Sequence, residues 1–149
     1  MTTVSEILGI NYIVIAPTLA LLLTVIVLLF CTITISTPMY IKKYVSFLGI
    51  LLTLFTIFLK FGLFLTDGVS SYFTEKILLD EFALVGNVLI GMVLLFTFNS
   101  FWKTSEMIEN KTTEALILIL MSASGFLLMI DAENFIMLFI GLEIGSISL

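Results

Sequence analysis

The sequence predicts an all-α integral membrane protein: one membrane domain over residues 1–149, built as a bundle of five transmembrane helices. Three observations carry that expectation. Of the 149 residues, 60% are hydrophobic and 11% charged, with a mean hydropathy of +1.26. A soluble domain of this size keeps more charge on its surface, however well its core is filled. Apolar runs of spanning length recur, the first without a charge between Glu6 and Lys42. The stretches between the runs collect the charged and turn-forming residues.

The first helix is expected over about Ile10 to Ser36. Pro17 falls in its first turns, where a missing N–H is best tolerated, and Thr37-Pro38 ends it. Met39 to Lys43 reads as a short loop with two adjacent lysines. The second helix runs from about Tyr44 to Leu65 and carries Lys60 toward its far end. Asp67 to Glu81 is the longest polar connection. Within it, Ile77-Leu78-Leu79 reads as the first turn of the next helix or as an interfacial piece. The third helix covers about Phe82 to Trp102, with Trp102 and Lys103 as an interface anchor. A mixed-charge loop follows to Glu114. The fourth helix spans about Thr113 to Ile130 and contains the small residues Ser122, Ala123, Ser124 and Gly125. Asp131 to Asn134 forms a tight polar turn rich in N-cap residues, and the fifth helix runs from Asn134 to Leu149.

Lysine placement sets the orientation. The first and third connections carry Lys42, Lys43, Lys103 and Lys111, and the second only Lys76. The positive-inside rule therefore places the N-terminus outside and the lysine-rich connections in the cytoplasm. The first apolar run is too long for a signal-peptide core and lacks a basic n-region, so it stays as a span. Cys31 follows Phe30, which argues against a lipoprotein anchor.

Composition also excludes chemistry. There is no Arg and there are only six Lys, so nucleic-acid binding is set aside. With no His and one Cys, ligands for haem, iron–sulfur or histidine-held metal sites are lacking. Cys31, in an apolar run, reads as a small buried hydrophobe.

Three charged residues inside or beside the spans are candidates for function. Glu143 sits near the middle of the last apolar run. A carboxylate there costs about 2.5–3.5 kcal/mol on insertion scales and is normally tolerated only toward a bundle interior or a water path. It reads as a proton- or ion-relay group, against the alternative of a structural Glu bonded to a neighbouring helix. Its depth is roughly 13 Å from the helix start at 1.5 Å per residue, near the midplane of a core about 30 Å thick. At 100° per residue, Gly141, Gly145 and Ser148 share a face suited to close helix contact, with the small residues of the fourth helix as partner. Glu143 points about 160–200° away from it. Lys60 is either a relay residue or a lysine snorkelling to the interface, and its closeness to the helix end favours snorkelling. Glu114 complements the dipole at the start of the fourth helix, with a relay role as the alternative.

The segments LLDEFALVGNVLIGMVLLF and TTEALILILMSASGFLLMIDAENFIMLFIGLEIGSISL resemble the N-terminal part of the subunit N family of bacterial NADH-quinone oxidoreductase, respiratory complex I. The most specific piece is LFIGLEIGSISL. The spacing from Glu114 to Glu143 and the run Asp80, Phe82-Ala83 also match, and the likeness weakens over the first two helices.

The resemblance implies a fourteen-helix antiporter-like fold of which these five helices are the first part, with two inverted repeats. It also implies that Glu143 is the fifth-helix carboxylate, paired in the family with a Lys of a broken seventh helix. Lys60, on the second helix, lies outside the repeat. The implied function is a non-redox membrane-arm subunit coupling quinone reduction to proton translocation in a bacterial inner (plasma) membrane. Its implied partners are other membrane-arm subunits, the lipid bilayer and, through the complex, quinone. NADH, FMN, iron–sulfur clusters and quinone are expected only in the complex, with none bound by this chain.

The related antiporter-type subunits of cation/proton antiporters and membrane-bound hydrogenases share the Glu143 motif. A structural or assembly protein and a small oligomeric transporter stay open as other classes. From Asn134 to Leu149 there is only about 24 Å of helix, with no Lys, Trp or Tyr closing it. The chain therefore reads as a fragment, inactive in translocation by itself.

Overall fold

The computed structural model describes residues 12–33, 38–72, 77–104 and 109–148. Within them run five helices: α1 (Tyr12–Ile33), α2 (Met39–Asp67), α3 (Glu81–Thr104), α4 (Glu109–Ile130) and α5 (Phe135–Ile147). Between α2 and α3 lie two short strands, β1 (Ser70–Tyr72) and β2 (Ile77–Leu79). Segments of α1 to α4 (Tyr12–Ile33, Tyr40–Thr66, Glu81–Phe101 and Thr112–Ile130) are long and apolar enough to cross a membrane, and α5 is a shorter apolar helix. The chain is a multi-pass membrane protein. Glu6, Lys76, Leu149 and the expected first turn of α1 lie outside the described residues.

Apolar residues cover all sides of these helices. Phe55, Phe58, Phe96 and Ile136 are exposed, as expected where the solvent is lipid. Inside, Leu21, Val25 and Leu28 of α1 meet Ile50 of α2, Leu94 and Phe98 of α3, and Leu116, Leu120 and Leu127 of α4. α4 therefore sits at the centre, against α1, α3 and α5. Several buried hydroxyls are satisfied within their own helices, whereas Thr18 Oγ1 and Ser122 Oγ find no partner among the described residues. Thr24 Oγ1 donates to the Ala20 and Leu21 carbonyls at 2.9 and 2.7 Å, and Thr53 Oγ1 to the Gly49 carbonyl at 2.9 Å. That is the low-cost solution where no water is available.

Three expectations are corrected, one of them the start of α4, which lies at Glu109 inside the stretch read as a loop and four residues before Thr113. Met39 to Lys43 is the start of α2, which begins directly after Pro38 in extended conformation (φ −62°, ψ 147°). Proline is compatible with a helix start because its missing N–H has no intrahelical use there. Ile77-Leu78-Leu79 is a strand, paired antiparallel with Ser70–Tyr72 in the register Ser70↔Leu79, Ser71↔Leu78 and Tyr72↔Ile77. α2 stops at Gly68, whose φ of 70° favours a residue without Cβ. The Gly68 N–H donates to the Phe64 carbonyl at 2.8 Å. α3 is capped by Asp80, whose Oδ1 accepts from the Ala83 N–H at 2.7 Å.

The hairpin docks on the turn between α4 and α5. Leu78 N–H donates to the Asp131 carbonyl at 2.9 Å, and Ile77 bridges Ala132. Asn134 caps α5, its side-chain oxygen accepting from Met137 N–H at 2.9 Å. α4 and α5 then pack in opposite directions at close range. A Cβ on Gly125 would lie 2.7 Å from the Gly141 carbonyl oxygen, and one on Gly141 would lie 2.8 Å from Met129 N.

Candidate functional site

Close packing against α4 decides where Glu143 points. Gly141, Gly145 and Ser148 are buried on the α4 side, and Glu143 is exposed on the opposite face of α5. Its neighbours on the exposed faces are apolar, among them Phe139, Ile140, Leu142 and Ile147. The Glu143 backbone carbonyl accepts from Ser146 Oγ at 3.2 Å. Among the described residues no side chain pairs with its carboxylate. A carboxylate presented on an apolar face needs a cation, a donor or a water path brought to it. Glu114, the other expected carboxylate, is exposed in the second turn of α4, because the helix begins at Glu109 and not at Thr113, and it therefore lies past the first turn in which a helix dipole acts. The fold does not bring Glu114 and Glu143 together on one face.

Lys60 departs from expectation. It does not snorkel: it is fully buried, and its ammonium lies 2.6 Å from Asp131 Oδ1. Asn87 Nδ2 donates to the same oxygen at 2.8 Å. The physical reason is proximity of opposite charge. The α4–α5 turn and the far end of α2 share one end of the bundle, so Asp131 neutralises Lys60 without the side chain stretching to the interface.

Sequence reasoning took Asp131 for a turn residue and passed over Asn87. The signal that finds them is an uncompensated Lys inside one span, together with an acid at the adjoining end of another and an amide inside a third. Two separate carboxylate centres result, Asp131 within the bundle and Glu143 on its outer surface.

Sequence comparison bears on the chain rather than on either centre. The chain is similar to subunit N of NADH-quinone oxidoreductase. It is 31% identical over 94 residues to NADH-quinone oxidoreductase subunit N of Campylobacter concisus (strain 13826), a match covering 62% of this chain and 19% of that protein. To NADH-quinone oxidoreductase subunit N 1 of Aquifex aeolicus (strain VF5) it is 27% identical over 112 residues, 72% of this chain and 23% of that protein. The chain spans about a fifth of the length of these subunit N relatives. No protein-family model matches it.

Proposed function

We infer that this chain serves in the membrane arm of a proton-translocating NADH-quinone oxidoreductase, as part of subunit N, with Glu143 as a proton-relay carboxylate. The observation that carries the reading is the placement of Glu143. It is the single charged residue of α5 and lies on the face turned away from α4, in a chain similar to subunit N. A structural Glu would instead be expected to bond inside the bundle.

The chemistry is that of a carboxylate with a removable counter-charge. A cation within about 4–6 Å favours the ionised form and lowers the pKa by about 1–3 units. Moving the cation away raises the proton affinity, and Glu143 takes up a proton. Returning it expels the proton. A lysine from a further segment of a longer polypeptide, or from a neighbouring subunit, supplies that charge in this reading. Lys60 does not, because it is committed to Asp131.

With no His and one Cys in the chain, we assign NADH, FMN, the iron–sulfur clusters and quinone to other subunits of the complex. The lysine-rich connections face the cytoplasm of a bacterial inner membrane, and the hairpin end faces outward.

The test is Glu143→Ala in the assembled complex. NADH-driven proton pumping and coupled quinone reduction fall while the amount of assembled complex is largely kept. Normal pumping by the assembled variant defeats the relay role and leaves Glu143 a surface group of the bundle.

A further inference from the structure

Two donors, Lys60 Nζ and Asn87 Nδ2, converge on a single oxygen, Asp131 Oδ1, at 2.6 and 2.8 Å. This leaves hydrogen-bonding capacity over. An ammonium carries three N–H groups, and beyond the ion pair Lys60 Nζ has no acceptor among the described residues. Asn87 Oδ1 is also buried and receives no donor among them. Both residues are fully buried, and Asp131 nearly so. A buried polar atom left unpaired costs about 1–3 kcal/mol, more when charged. One water accepting from Lys60 Nζ and donating to Asn87 Oδ1 satisfies both. Polar pockets offering two to four partners are where proteins hold internal water.

We propose that Lys60, Asn87 and Asp131 hold a buried water and form a proton-exchanging site at the hairpin end of the bundle, separate from Glu143. The second O–H of that water faces the Asp131 carboxylate, and the proton reaches Asp131 through it. One water O–H bond breaks as the new O–H forms on the carboxylate, and a proton from the aqueous phase restores the water. No electrons move, and Lys60 takes no part in the transfer. The centre passes from an ion pair of zero net charge to a net +1.

The surrounding charges suit this change. Asp80, capping α3, is within electrostatic reach of both Lys60 and Asp131. Its negative charge offsets the added positive one. Glu81 and Glu133 are exposed, β2 contributes the apolar Ile77 and Leu79, and on α5 Asn134 is engaged with Met137.

The site does not depend on the relay role of Glu143, and the two are separable by experiment. Infrared difference spectra between acid and alkaline pH, recorded on the full chain in lipid vesicles, read the buried carboxyl directly. A carboxylic C=O band is expected that Asp131→Asn removes and Glu143→Gln leaves unchanged. Lys60→Met moves its titration midpoint upward by about 1–3 pH units, because the cation that held the carboxylate ionised is gone. Lys60→Arg keeps the charge and leaves the midpoint near its wild-type position. A band of strongly bonded water, shifted in oxygen-18 water, is lost in Asn87→Leu.

An ion pair closed to water gives no carboxylic band in the wild-type chain, and the absence of that band overturns the proposal. Survival of the water band in Asn87→Leu overturns its water-holding part. Where Asp131→Asn fails to insert with normal helix content, a changed C=O frequency in Asp131→Glu assigns the band to this site, and an unchanged one overturns the proposal.

Discussion

Gly125 of α4 and Gly145 of α5 meet backbone to backbone, so close that a Cβ on Gly125 would run into the Gly145 main chain. This contact fixes the rotation of α5. With Gly141 and Gly145 turned to α4, the periodicity of the helix leaves Glu143 no place except the opposite face. The short turn Asp131 to Asn134 brings the two helices together, and the glycines let them approach.

That contact predicts an asymmetry between glycines. Gly125→Leu must push α5 away or bend α4, since the atoms in its path are main chain. Overpacking of this kind typically costs about 1–3 kcal/mol. Gly62, on the exposed face of α2, has nothing within 4 Å of its missing Cβ, and Gly62→Ala should be neutral or stabilising by up to about 1 kcal/mol. Denaturation of the two variants in mixed micelles measures both. Equal effects would show that α4 and α5 do not pack through Gly125.

Caps at the hairpin end offer a second check. Asn134 accepts from Met137 N–H at 2.9 Å, and Asp80 from Ala83 N–H at 2.7 Å. Replacing either with Ala should cost about 1 kcal/mol, within the usual range of about 0.5–2 for a lost N-cap. Asn134→Ser should recover most of the loss at its position. Urea or detergent denaturation compares the three, and a serine variant no better than the alanine one would show that the side-chain bond is not what holds the end of α5.

The spans were legible because they rest on length and apolar content, which tertiary packing does not change. Their ends were less so. Lys42 and Lys43 looked like loop residues, yet they belong to the first turns of α2, where long side chains reach the interface from a helix as easily as from a loop. The β-hairpin was illegible because three-residue strands leave too short a pattern: Ile77-Leu78-Leu79 has no period to read. Glu143 could be placed on its face from periodicity alone. The Lys60–Asp131 pair could not, because it joins residues far apart in the sequence and depends on which helices become neighbours.

Glu143 should be close to silent in stability. Its carboxylate has no partner among the described residues, so Glu143→Gln removes no bond from the bundle. A substitution of that kind falls within about ±0.5 kcal/mol. The same denaturation experiment, run on the chain by itself, tests it. A loss above about 1 kcal/mol would mean that Glu143 is held inside the bundle after all, and would favour a structural role over relay.

Lys60 and Asp131 should behave in the opposite way, and as a unit. Removing one member leaves the other charged and buried, which typically costs about 3–5 kcal/mol. Lys60→Met strands the Asp131 carboxylate with only the Asn87 amide, and Asp131→Leu strands the Lys60 ammonium. Replacing both removes the desolvation cost together with the attraction, so Lys60→Met/Asp131→Leu should be far less destabilised than the sum of the single variants. Residues in direct contact show such non-additivity at about 0.5–3 kcal/mol. The double-mutant cycle, read by denaturation in mixed micelles, measures it. Additive losses would mean that the two groups do not sense each other, and the 2.6 Å pair would then contribute nothing to holding α2 against the α4–α5 turn.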